Sequence, residues 1–272
     1  MSGKKTGIAL RKPSASTIAL NVTLAVLVVT TIAGFFIIDT KNIKVGPATA
    51  KFFLDLFKMF TRPAARHFVL LEALGAIGLT LGLAFLTTLF GAALAMIFGP
   101  FAAKNLSRRG VAEALKVIVA FIRAVPTVIW VLIFAVGAGL GSVAAVVGMT
   151  FHSFGYLLKA YSESFEEVGT DVVEALKASG ARWPHIVFQA VIPSSMSSLV
   201  SWTFIRFEIN FANAVAMGAA AGAGGIGYDL FMASGYYFNI GEVGYITWLI
   251  LIVAICLEVG ASRIRARQHV VR

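Results

Sequence analysis

Thirty-one consecutive residues, Ala73 to Ala103, carry no charged side chain. A helix rises about 1.5 Å per residue and a hydrocarbon core is about 30 Å thick, so this run is long enough to cross a bilayer. Ile18 to Ile38 adds a second uncharged run of 21 residues. Such blocks dominate the chain: 58% of its 272 residues are hydrophobic and 13% are charged. A mean hydropathy of +0.86 excludes an ordinary globular domain, a disordered chain and a disulfide scaffold. The single cysteine, Cys256, lies in an apolar run, so no internal disulfide and no thiol-metal cluster is expected. The four histidines have no metal-like spacing, and neither a metal nor a cofactor is expected. These residues predict an all-α polytopic membrane protein.

The net charge of +10 falls mostly between the apolar blocks, where it reads as topology and headgroup contact, not as a nucleic-acid surface. Further spans are expected over Val117 to Val136, which is interrupted by Arg123 and Pro126, and over Ser142 to Leu158. Ile186 to about Ile205 is a fifth, and Val243 to Ala261 a sixth. Clustered glycine from Gly137 to Gly141 reads as the turn between the third and fourth. The expected layout has a cytoplasmic tail at 1–17, a first transmembrane helix at 18–38 and an external loop at 39–67. A core at 68–263 contains a polar loop at 162–185, and a basic cytoplasmic tail follows at 264–272.

Ile209 to Tyr228 is also uncharged, but five glycines crowd its second half. A seventh span would place the arginine-rich tail outside, so about six transmembrane helices with both termini cytoplasmic is the expected arrangement. Inside segments then collect 15 lysines and arginines against six outside. All six lie in the first external loop, where Ala48 to Phe60 reads as an amphipathic helix with its phenylalanines toward lipid.

Within the polar loop, Asp171 and Glu174 are first-turn acids of a short helix, Thr170 is a possible N-cap, and Gly180 stands where a left-handed residue ends it. A short capped helix between two spans is a rigid knob for another protein to grip, or a plain connection. The run Glu174-Ala-Leu-Lys-Ala-Ser-Gly180, followed by Ala190-Val-Ile192-Pro193, resembles the E-A-A loop of ABC-importer permeases. Leu176 stands for the second alanine, Ala190 for an isoleucine and Ile192 for a leucine. Arg123-Ala-Val-Pro-Thr127, Phe204-Ile-Arg-Phe-Glu-Ile-Asn210 and Gly222-Ala-Gly-Gly-Ile-Gly227 are similar to segments of the phosphonate-transporter branch.

The resemblance implies a type I ABC importer permease fold in the bacterial cytoplasmic (inner) membrane. It implies that Glu174, Ala175, Gly180 and Pro193 belong to the coupling helix and its loop, which dock on a cytoplasmic ATP-binding subunit. Partners would be two such subunits, an external substrate-binding protein, a second permease copy or sister permease, and the bilayer. The chain has no Walker lysine motif, so ATP hydrolysis would belong to a partner and the chain is not itself an enzyme.

Arg123, Arg206 and Glu208 are ionisable residues at or near membrane depth, where each needs a partner or water. One reading pairs an arginine with Glu208; the other turns Arg123 or Arg206 toward a passing oxyanion, which a guanidinium fork suits. His152-Ser153 reads as packing or pathway lining, not as nucleophile chemistry. Gly222, Gly224 and Gly227 fit the dinucleotide spacing without its strand-turn-helix context, so Gly224 and Gly225 read as part of an outer gate or re-entrant segment. The implied cargo is phosphonate or a related phosphorus oxyanion. Rival readings are a permease of this fold for phosphite, phosphate or an amino acid, and an ion-coupled secondary transporter.

Overall fold

Proline and glycine, not charge, divide the apolar runs into helices. The computed structural model describes residues 14–37 and 44–269, with side chains through residue 263. The N-terminal basic residues, Lys41, Arg272 and the side chains of Arg265 and Arg267 lie outside the described residues. The chain separates into two units, residues 1–53 and 54–272. In the first unit, α1 (Ala15–Ile37) is 23 residues long and buries none of its side chains. Helix α2 (Val45–Thr61) occupies the expected amphipathic segment, with Phe52, Phe53 and Phe57 exposed.

The second unit is built on α3 (Leu70–Ala102), α6 (Ser142–Glu166) and α9 (Ile192–Ala221), which pack on one another. Helix α3 is apolar all round, yet it buries one stripe: Ala73, Ile77, Thr80, Ala84, Thr87, Thr88, Gly91, Ala95 and Gly99. The stripe follows helical spacing and is rich in small residues, which let neighbouring backbones come close in a membrane. Its large side chains, among them Leu79, Phe85, Leu89 and Phe90, stay exposed on the other side.

The expected third span is not one helix. It divides into α4 (Arg109–Ala124) and α5 (Thr127–Ala138), whose axes differ by 90°. Pro126 has no N–H to continue the ladder, and its ring pushes Val125 into extended backbone. Trp130 Nε1–H donates to the Ile122 carbonyl at 2.9 Å, which satisfies an acceptor next to the break.

Helix α6 runs eight residues past the expected end at Leu158, because Tyr161 and Phe165 are buried and the Ser162 and Ser164 hydroxyls donate to backbone carbonyls of their own helix. The expected polar loop at 162–185 therefore begins inside α6. It continues through α7 (Thr170–Ala178) and a single turn, α8 (Trp183–His185). A π-helical turn, Ile186–Val191, leads without a break into α9. The fifth span thus extends beyond Ile205 to Ala221 and takes in the first half of the ambiguous block. The glycine run then ends it, and α10 (Ile226–Phe231) with the π-helical turn Met232–Tyr236 leaves at a 54° bend. Helix α11 (Ile240–His269) closes the chain. Among the described residues, four helices are individually long and apolar enough to span, and up to six if each bent pair counts as one.

Candidate functional site

Helix α7 is amphipathic: Val173 is buried, Leu176 packs at the edge of the core, and Glu174, Ala175, Lys177 and Ala178 are exposed. Gly169, not Thr170, takes the N-cap position, and Thr170 is the first helical residue. Gly180 adopts φ +88°, as a left-handed terminator must. The Ala181 N–H donates to the Leu176 carbonyl at 3.1 Å and the Gly180 N–H to the Lys177 carbonyl at 3.0 Å. This reciprocal pair is the hydrogen-bond pattern of a Schellman cap, which fixes the helix end. Pro193, exposed, sits near the start of α9 on the far side of the π-helical turn.

Behind α7 lies a corner formed by residues 103–108. Asn105 Nδ2 donates to the Phe165 and Val168 carbonyls at 2.8 and 2.7 Å, holding the end of α6. Glu166 Oε1 accepts the Lys104 N–H at 2.8 Å and Lys116 Nζ at 2.7 Å. Trp183 Nε1–H donates to the Leu106 carbonyl at 2.8 Å, and its ring stacks on Phe101 at 5.2 Å. A cavity of about 380 Å3 remains between this corner and α7, lined by Lys104, Asn105, Arg108, Glu174 and Lys177 among others.

A second polar group lies midway along the helices. Arg206 is 1% exposed. Its Nε donates to Ser153 Oγ at 3.0 Å, its Nη2 donates to His152 Nδ1 at 3.0 Å, and its guanidinium carbon lies 5.1 Å from the Tyr156 ring centroid. Asn210, one turn on, donates from Nδ2 to Thr88 Oγ1 at 2.8 Å and to Ser153 Oγ at 2.9 Å. Thr88, Ser153 and Asn210 come from α3, α6 and α9, so one polar layer ties the three core helices together. Because Arg206 can only donate, His152 accepts at Nδ1 and its neutral form carries the proton on Nε2. The layer then presents donors from both side chains.

The structure separates the other ionisable candidates. Arg206 and Glu208 stand two positions apart on α9, a spacing that turns side chains away from each other. Glu208 instead lines a cavity of about 100 Å3 with Phe204, Phe207, Cys256, Leu257, Gly260 and Ala261. Arg123 is exposed and lies nearer α7, in a cavity of about 110 Å3 with Lys116, Lys159, Ser162 and Glu163. Lys159 pairs with Glu163 at 2.9 Å and Lys116 with Glu166 at 2.7 Å, which leaves the lining richer in cations than in acids.

Gly224 and Gly225, at φ +80° and +72°, form the break after α9. The Ile226 N–H beyond it donates to Thr80 Oγ1 at 3.0 Å, which seats the turn on α3. Asn105 and Thr88 had no role legible in the sequence, and Asn210 entered only as part of a resembling segment. A polar residue inside each of three apolar runs was the available signal for Thr88, Ser153 and Asn210.

Comparison with known proteins places this arrangement. The phosphate-import permease protein PhnE of Mycolicibacterium smegmatis is 31% identical over 215 residues, covering 77% of this chain and 40% of the relative. The phosphite transport system permease protein PtxC of Stutzerimonas stutzeri is 32% identical over 184 residues, 66% of each chain. The chain therefore spans less than the full length of the relatives it matches. In fold it is similar to the MetNI methionine ABC transporter in inward-facing conformations, with a TM-score of 0.63 and 22% identity over 72% of this chain and 95% of that one. Residues 91–266 match the family described as binding-protein-dependent transport system inner membrane component, and the chain belongs to that family.

Proposed function

We propose that the chain is the transmembrane permease subunit of an ATP-binding-cassette importer that moves phosphonate or a related phosphorus oxyanion. The observation that carries this reading is the free outer face of α7, closed by its Schellman cap and backed by the 103–108 corner. Such a helix is stiff enough to be pushed and is open to a partner. Its end of the bundle faces the cytoplasm and two ATP-binding subunits, and the Gly224–Gly225 turn faces outward, toward a substrate-binding protein. Two copies, or this chain with a sister permease, enclose the pathway, since closed two-fold assemblies are the commonest.

The cargo follows from the cations. Arg206 with His152 offers donors at mid-depth, and Arg123 offers a second positive point nearer α7. A phosphorus oxyanion presents acceptors to both, and guanidinium suits it geometrically. Coverage of the family and the named cargoes of the two relatives support this class without choosing its member. The test is ATP-dependent uptake by proteoliposomes holding this chain, its ATP-binding partner and its binding protein. Phosphate, phosphite, methylphosphonate and methionine are set in competition. Uptake blocked by the phosphorus compounds and indifferent to methionine is expected. Uptake that proceeds without ATP, or that methionine alone blocks, overturns the reading.

A further inference from the structure

The side chains around residues 103–108 have a more specific arrangement than a loop support requires. Three side chains, Asn105, Glu166 and Trp183, make hydrogen bonds between this short corner and residues 60 or more positions away. Asn105 holds two carbonyls at the end of α6, just before α7. Glu166 joins the end of α3, through the Lys104 N–H, to α4, through Lys116. Trp183, just after α7, donates to Leu106. Both flanks of α7 are therefore fixed to the corner, while Val173 plugs α7 into the apolar core between them.

Resting on the reading above, we propose that Asn105, Glu166 and Trp183 are positioning residues that lock α7 to the α3–α4 corner. A push on α7 then moves α3 and α4 with it as one body. The motion is delivered to the Pro126 bend, where the chain has a 90° break free of continuous helical hydrogen bonding. In this scheme α7 does not tilt in its own loop. The force path runs from the α7 flanks through Glu166 and Lys116 into α4, and from there to the Arg123 cavity that opens between α4 and α6.

The complex with its ATP-binding and binding-protein partners tests this with two readouts. In Glu166→Ala, assembly and ATP hydrolysis persist, while phosphite or methylphosphonate moved per ATP falls by roughly fivefold or more, the low end of ordinary coupling energies. Glu166→Gln, which keeps an acceptor oxygen for Lys104 and Lys116, restores most of that ratio. A part that only stabilises the fold would lower uptake and hydrolysis together and leave the ratio unchanged, which would overturn the proposal. The second readout needs no destabilising change. Ser107→Cys and Thr170→Cys, in a Cys256→Ala background, are bridged by a short bifunctional thiol reagent across the cavity wall. Parts that move as one tolerate the bridge, so uptake is unchanged; loss of uptake on bridging shows that α7 moves against the corner and sinks the idea. Failure of the ATP-binding partner to associate at all would instead count against the importer reading itself.

Discussion

The carboxylate of Glu242 has no exposed surface, and its Oε2 accepts Nδ1–H of His67 at 2.7 Å. Its other oxygen accepts the backbone N–H groups of Arg66 and His67. One acid on the first turn of α11 thus gathers the segment leading into α3, and the His67 ring stacks on Tyr237 at 4.0 Å. Glu242→Ala leaves these donors unmatched. It should cost about 1–3 kcal/mol, the usual penalty for polar groups left without their hydrogen-bond partner. Glu242→Gln keeps an acceptor and should cost less. Thermal unfolding in detergent, and proteolysis over residues 62–67, measure both.

The turn at Gly225 predicts a second outcome. A methyl there would meet Thr80 Oγ1, and φ +72° is already strained for any side chain. Gly225→Val should displace the turn from α3, free the Ile226 N–H and destabilise by about 1–3 kcal/mol. Unchanged melting, together with unchanged uptake, would remove the turn from any gating role.

Arg206 gives a discriminating series. Arg206→Lys keeps the charge and loses the fork; Arg206→Gln loses both. Oxyanion uptake should fall about tenfold or more for glutamine, equivalent to losing one charge-assisted hydrogen bond, and less for lysine. If both assemble and both transport at the normal rate, the mid-depth layer is structural only.

Glu174→Lys tests the outward face of α7. The side chain is exposed, so stability should change by no more than about 0.5 kcal/mol. Co-purification of the ATP-binding partner should nonetheless drop, and ATP-driven uptake with it. Retained association would place the docking contact elsewhere.

The apolar blocks were readable because a lipid-facing helix needs no partner to declare itself. Gly180 was equally readable, since its position after Ala178 leaves little but a left-handed residue. The angle at Pro126 was not: proline marks a break, but the direction taken afterward depends on how Ile122 and Trp130 pack on α6. The ties made by Glu166 and Glu242 were not legible, because their partners lie 50 or more residues away. The end of α9 was obscured differently. Five glycines in the second half of the 209–228 block, together with charge parity, set the expected end of the fifth span near Ile205, whereas helix persists to Ala221 because Phe211, Ala214 and Met217 are buried against α3 and α6 residues such as Leu83 and Met149.

The six-residue π-helical turn between Ile186 and Val191 separates Glu174 from Arg206 along the chain. Such a turn holds one more residue per revolution than an α-helix. If that surplus residue were absorbed into regular α-helix, everything beyond it would rotate by about 100° and advance about 1.5 Å, with no helix melted. Such a change at the start of the long rod would re-aim the buried guanidinium of Arg206, about four helical turns further along.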